Sequence, residues 1–356
     1  MEKISVFEIF KIGIGPSSSH SMGPWNAAKD CLSHIEMSRN LNDIKAIDIE
    51  LFGSLAKTGK GHGTDKAIMM GLMGYEVDTF KPELLEKNIN SIISEKSISL
   101  LRKKKILFDP NKNIQFNFGR KNLKHPNTLN FKISFRNDIE DVYTYFSVGG
   151  GFIERKGENQ KFIEKSDIPY PIQKAEEIVK WCKKENKTLS EISLANELCW
   201  RSYKKIITSL DNIWTVMIES IYKGCKTEGE LPGGLKVNRR ASYLNNNLLK
   251  NQNVNSISEW INLIKKQDHD MDNVTSWVSC FALAVNEVNA SYGRIVTAPT
   301  NGAAGVIPAV LMYFICFKHN YDKEKIREFL LVSAEIGMLF KKGAPISAAA
   351  GGCQAE

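Results

Sequence analysis

An α+β N-terminal domain followed by an all-helical domain is the fold this sequence predicts, and three observations carry it. Apolar and polar residues alternate with period two in several runs before residue 150, and such runs nearly vanish afterwards. A polar stretch from Lys156 to Lys165 leads into Pro169-Tyr170-Pro171, which reads as a linker. From Ile172 onward apolar residues fall at helical spacing. At 356 residues the chain also exceeds the roughly 250–300 at which a single core stops growing. The expected division is residues 1–155 as the α+β domain, 156–185 as linker and first helix, and 186–356 as the helical catalytic domain.

The elements follow in order. Trp25, Ala28, Cys31, Leu32 and Ile35 mark a helix over Pro24 to Met37. Ile47, Ile49 and Leu51 alternate with Asp48 and Glu50, a strand that a helix over Thr64 to Leu72 follows. Strand-like runs occupy Ile114–Phe118, Leu129–Phe135 and Val142–Val148, and Gly149-Gly150-Gly151 ends them. Helices are then expected over Ile172–Glu185, Ser190–Cys199, Trp200–Gly224, Ile257–Lys266, Val274–Asn289, Gly305–Lys318 and Lys323–Lys342.

Composition removes several classes of function. Hydrophobic and charged fractions of 42% and 25% are those of a globular protein, not of a disordered or collagen-like chain. The formal charge is +8, but only ten of the 48 basic residues are Arg, and Lys is spread along the chain. A nucleic-acid site would cluster them, so no nucleic-acid partner is expected. Val306 to Phe317 is the most apolar stretch, twelve residues long, short of the roughly 18–20 that a membrane span needs. The N-terminus lacks a signal-peptide h-region, so a cytoplasmic protein with no membrane partner is expected. The seven cysteines are odd in number with no C-x-x-C pair, which argues against a zinc ribbon or disulfide framework. Cys225 falls in what reads as a polar loop, and Cys353 follows the small residues Ala348 to Gly352.

Three segments carry candidate chemistry. In Gly13 to Pro24, Gly and Pro fix a tight loop before a helix, where free backbone N–H groups attract anions. Ser17, Ser18, Ser19 and His20 add donors there, and helix capping accounts for only one of the serines. Gly53 to Lys66 invites a P-loop reading, which fails: five residues separate Gly53 from Gly59, and Gly61 stands where Mg²⁺ coordination needs Ser or Thr. What remains is a mobile glycine-rich loop presenting Lys57, Lys60 and His62 to a small anion. In Ala298 to Gly305, a turn containing Thr300 and Asn301 feeds an apolar helix, a common pocket geometry, although capping explains it as well. Thr227 to Leu235 with Arg239 and Arg240 reads equally as an interhelical loop with a basic edge.

Taken in order, Gly15 to Pro24, Gly53 to Asp65, the Gly-Gly-Gly-Phe at 149–152, Leu-Pro-Gly-Gly-Leu at 231–235, Ala298 to Gly305 and Gly-Gly-Cys-Gln-Ala-Glu at 351–356 resemble the motifs of the iron–sulfur-dependent L-serine dehydratases. The resemblance covers nearly the whole chain. It implies a β-type domain like the anion-binding domain of some phosphoglycerate dehydrogenases, joined to an α-type helical catalytic domain. It also implies deamination of L-serine to pyruvate and ammonia with a [4Fe-4S] cluster, and a homo-oligomer, a dimer. Cys353 is then a cluster ligand, and His20 and His62 lie at the active site.

A neutral imidazole suits removal of the weakly acidic Cα proton, and either histidine fits that role. An iron without a protein ligand would act as Lewis acid on the hydroxyl. Loop groups around Ser17–Ser19, Lys57, Thr300 and Asn301 would hold the substrate. The family's further cluster cysteines lie downstream, whereas this chain ends three residues after Cys353. The expectation is therefore a truncated or split form without a complete cluster. Two rival readings stand beside this one. A pyridoxal-phosphate lyase would use Lys57 or Lys60 for the Schiff base. A non-catalytic amino-acid-binding regulatory module would be built on the N-terminal domain, with the helical part as an oligomerisation surface.

Overall fold

The computed structural model describes residues 3–119, 124–136, 138–158, 167–268, 270–318 and 321–343. They divide into two compact units, Gly13–Lys161 and Met1–Ile12 with Phe162–Glu356. The first twelve residues thus belong with the helical unit rather than with the sequence that follows them.

The N-terminal unit is built on a five-stranded mixed sheet. Its order is Ile114–Asn117, Ile44–Phe52, Thr128–Phe135, Glu140–Gly149 and Phe152–Arg155. The first pair runs parallel and the remaining pairs antiparallel. The strand Ile44–Phe52 begins earlier than its alternation suggests, and Ile47, Ile49 and Leu51 on it are fully buried. The triple glycine does not end the sheet. Gly149, Gly150 and Gly151 all have positive φ and turn the chain into the further strand Phe152–Arg155. The helix Gly23–Ser38 is tied to this sheet by Tyr145 Oη donating to Asp30 at 2.7 Å and by Asn26 Nδ2 donating to the Gly151 carbonyl at 2.8 Å.

Other elements were not visible in the sequence. The glycine-rich segment is no mobile loop: Gly53–Thr58 is a helix, and a turn leads from it into the helix Thr64–Leu72. A helix over Leu84–Glu95, a hairpin of Ser97–Leu100 with Lys104–Leu107 and a short helix Pro110–Asn113 belong to the same unit. The run Arg102 to Lys105 sits on that hairpin and its turn, with Lys103 and Lys105 paired to Glu36 and Glu95.

In the helical unit two long helices, Tyr203–Lys226 and Met271–Ala290, cross closely. At the crossing Gly224 meets Ala284, where a Cβ would lie 2.3 Å from the Ala284 carbonyl oxygen. Trp260, Trp277 and Phe281 are fully buried and meet at ring-centroid distances of 5.5–6.2 Å. Their polar edges are satisfied, Trp260 by Asn245 and Trp277 by Gln267. Among the described residues, Val6–Ile9, Ala175–Glu185, Leu189–Leu198, Ala241–Leu248, Ile257–Lys265, Val306–Phe317 and Lys323–Gly343 supply the remaining helices. Cys225, expected in a polar loop, lies instead in the last turn of Tyr203–Lys226 and is buried. Among the described residues no helix is long and apolar enough to cross a membrane.

Candidate active site

Two of the sequence motifs come together inside the N-terminal unit. Ser18–Met22 form a single wide, π-helical turn that runs straight into the helix beginning at Gly23. Ser17 is the cap: its Oγ accepts the His20 backbone N–H at 3.2 Å. The second motif starts where the strand Ile44–Phe52 ends. Gly53, at φ 57°, makes the sharp turn from strand to helix that a side chain would strain. Ser54 follows immediately, its own N–H held by the Pro126 carbonyl at 2.8 Å.

His20 stands between the motifs. Its Nδ1 is 2.8 Å from Ser19 Oγ and its Nε2 is 2.9 Å from Ser54 Oγ. The ring is buried, and its centroid lies 4.9 Å from that of His62. Two cross-braces lock the motifs together: Ser21 Oγ donates to the His62 carbonyl at 2.8 Å, and Thr64 Oγ1 donates to the His20 carbonyl. Burial, and secondly the neighbouring His62, push the His20 imidazole down to about 4. At neutral pH His20 is therefore uncharged.

His62 is held differently. Its Nδ1 lies 2.8 Å from the Thr58 carbonyl oxygen, an atom that can only accept. Nδ1 therefore carries the proton, and in the neutral ring Nε2 keeps the lone pair. His62 is half-buried where His20 is buried, so the two histidines differ both in access and in which nitrogen is engaged.

Ser18 is buried, while Ser17 and Ser19 are half-buried and already serve His20 as cap and ring partner. Lys57 is exposed on the last turn of Gly53–Thr58. Lys60 pairs with Asp65 at 3.3 Å and lies over the Phe116 ring. Ser54 lies within the second motif, and in the sequence only its place between a strand and a helix hints at a role. His125 accepts the Asn127 N–H at its Nδ1. It precedes the Pro126 that holds Ser54, and burial lowers its pKa.

In the helical unit, Thr300 and Asn301 sit in the turn after the short strand Arg294–Val296. Asn301 is 2% exposed and donates from Nδ2 to Asn289 at 3.0 Å, while its Oδ1 has no partner. Cys353 lies outside the described residues. The thiols that are described do not fit an iron–sulfur cubane. Cys225 and Cys280 sit 3.8 Å apart, and burial holds the Cys225 thiol protonated. Burial likewise pushes Cys316 up to about 12. Among the described residues no three His, Cys, Asp or Glu side chains are grouped to hold a metal.

An α+β unit with two imidazoles braced among serine hydroxyls, on a chain that continues into a helical unit, defines a class. The serine dehydratase beta chain model matches residues 5–158 and the serine dehydratase alpha chain model matches residues 183–356. The chain belongs to the serine dehydratase family. It is 38% identical to L-serine dehydratase 2 of Escherichia coli over 99% of this chain and 75% of that protein. It is 37% identical to an L-serine dehydratase of Streptomyces coelicolor with the same coverage of each. To that of Helicobacter pylori it is 34% identical, over 100% of this chain and 76% of the relative.

Proposed function

We propose that the chain is an L-serine dehydratase that converts L-serine to pyruvate and ammonia by β-elimination. The observation that carries this reading is the pair of unlike histidines. His62, with Nδ1–H fixed on the Thr58 carbonyl, offers the Nε2 lone pair as the base for the Cα proton. His20, neutral and bonded at both nitrogens, places serine hydroxyls beside it. Loss of the Cα proton and of the β-hydroxyl gives aminoacrylate, whose imine form hydrolyses to pyruvate and ammonia. The family resemblance and the relatives' names support serine as substrate.

The substrate-binding role proposed for Ser17, Ser18, Ser19 and Lys57 rests on the same unit. For Thr300 and Asn301 it is supported by the orphaned Asn301 Oδ1, an acceptor suited to an ammonium group. A [4Fe-4S] cluster ligated by Cys353 is the cofactor that the resemblance implies. The described cysteines supply no partners for it.

The test is pyruvate formation from L-serine by the purified chain, assayed before and after anaerobic incubation with iron and sulfide. Serine-dependent pyruvate supports the reading, and a requirement for iron and sulfide supports the cluster. Absence of pyruvate under both conditions, with L-serine binding intact, would favour the regulatory module instead.

A further inference from the structure

We propose that Ser54 is the positioning residue of this site: its oxygen accepts the Nε2 proton of His20, fixes that ring's tautomer, and so turns its own O–H outward toward a substrate carboxylate. The inference rests on the reading of L-serine as ligand and adds a residue to which no role had been given.

The argument starts from the hydrogen-bonding capacity of a neutral imidazole, which has one N–H and one lone pair. His20 is flanked by a hydroxyl at each nitrogen, Ser19 at 2.8 Å and Ser54 at 2.9 Å, so it donates to one serine and accepts from the other. Suppose that Nδ1 held the proton. Ser19 would then accept, and the nearest other oxygen partnered with its hydroxyl is Ser17 Oγ at 3.5 Å, beyond an ordinary O–H···O bond. Either tautomer keeps both short bonds, and the two differ in which serine donates; with the proton on Nε2, the tautomer that neutral imidazole prefers in water, Ser19 donates to Nδ1 and Ser54 accepts. The one hydroxyl proton left to assign is then that of Ser54.

Ser54 is also held in place from its backbone. Its N–H is fixed by Pro126, and its carbonyl accepts the Thr58 hydroxyl at 3.0 Å. The same Thr58 orients His62 through its carbonyl. One short helix therefore sets the donor at Ser54 and the proton acceptor at His62. A carboxylate is the substrate group that best uses a fixed hydroxyl donor, because charge-assisted bonds are the stronger ones.

Nitrogen-15 spectra of histidine-labelled protein test this, since the chain has only six histidines and the His20→Gln variant assigns the signal. The expected wild-type spectrum shows His20 neutral at pH 7 with Nε2 protonated. Ser54→Ala should lose that single tautomer, and Ser54→Thr, which keeps the hydroxyl, should restore it. Titration with L-serine should shift the His20 nitrogens in wild type and in Ser54→Thr but not in Ser54→Ala. A wild-type ring protonated at Nδ1 would overturn the proposal even if the alanine variant fails to fold. So would an unaltered tautomer in Ser54→Ala, or wild-type nitrogens that ignore L-serine. None of these readouts needs turnover. A chain that behaves as expected here yet releases no pyruvate would sink the lyase reading and leave Ser54's role standing.

Discussion

Residue by residue, the two histidines make opposite demands on their surroundings, and each yields a prediction. His62→Asn keeps a group able to donate to the Thr58 carbonyl but removes the Nε2 lone pair. Turnover should fall by about 10²–10⁴-fold, the usual worth of a positioned base, with little change in thermal midpoint. An unchanged rate constant would remove His62 from the base role. His20 reports through stability instead. Its imidazole falls from an ordinary 6.5 to about 4 in the folded protein. Below pH 6.5 the unfolded chain therefore binds a proton that the folded one refuses. The resulting stability is whole above pH 6.5 and is lost as pH falls toward 4, amounting to about 3 kcal/mol in all. His20→Gln should lose less stability than wild type between pH 6.5 and 4 in urea unfolding. Parallel pH profiles would show that His20 does not titrate across folding. The thiols follow the same logic: Cys199 is exposed and should react with a thiol reagent in the native state. Cys31, Cys225, Cys280 and Cys316 are buried and should react only on unfolding.

At the scale of elements, close approach governs what the helical unit tolerates. Gly224→Ala would place a methyl 2.3 Å from the Ala284 carbonyl oxygen, and backbone on a neighbouring helix cannot rotate away as a side chain can. The helices must part, at a cost of roughly 1–3 kcal/mol or somewhat more, read as a lower midpoint in denaturant. A neutral outcome would mean that the two helices part at this crossing without cost. Neither this contact nor several elements could be read from the chain. The helix Thr64–Leu72 and the strand around Ile49 were legible because their apolar residues follow one clear period. Gly53–Thr58 was not, because glycines at 53 and 59 mask a helix that its neighbours impose. Ala241–Leu248 hides behind three consecutive asparagines, and the hairpin Ser97–Leu107 behind its lysines. The site shows the same division. The serine and histidine motifs could be picked out as chemistry, but which nitrogen of each ring is engaged depends on Thr58, Ser54 and Ser19 in three dimensions.

On the scale of the whole chain, the N-terminal twelve residues fold with a partner more than a hundred residues away in sequence. Ser5 caps the short helix Val6–Ile9, and its hydroxyl also donates to Glu197 at 3.0 Å. The Val6 N–H donates to the same carboxylate at 2.7 Å. Glu197 is 1% exposed, and Arg201 Nη1 donates to it at 2.9 Å. Further along, Thr297 bonds to the Ile9 carbonyl and exchanges bonds with Lys11. Val6, Ile9 and Phe10 enter the core of the helical unit. Deleting residues 1–12 would strip Glu197 of two donors while leaving its charge buried, one of the costlier changes a protein can suffer. It would also expose the apolar surface that those three side chains cover. The truncated chain should therefore lose the helical unit first. In hydrogen exchange, protection of Tyr203–Lys226 and Lys323–Gly343 should drop while that of the strands Ile44–Phe52 and Thr128–Phe135 persists. Equal loss in both units would mean that they unfold as one cooperative body. Preserved protection in the helices would show that the first twelve residues are a surface strap with no share in the core.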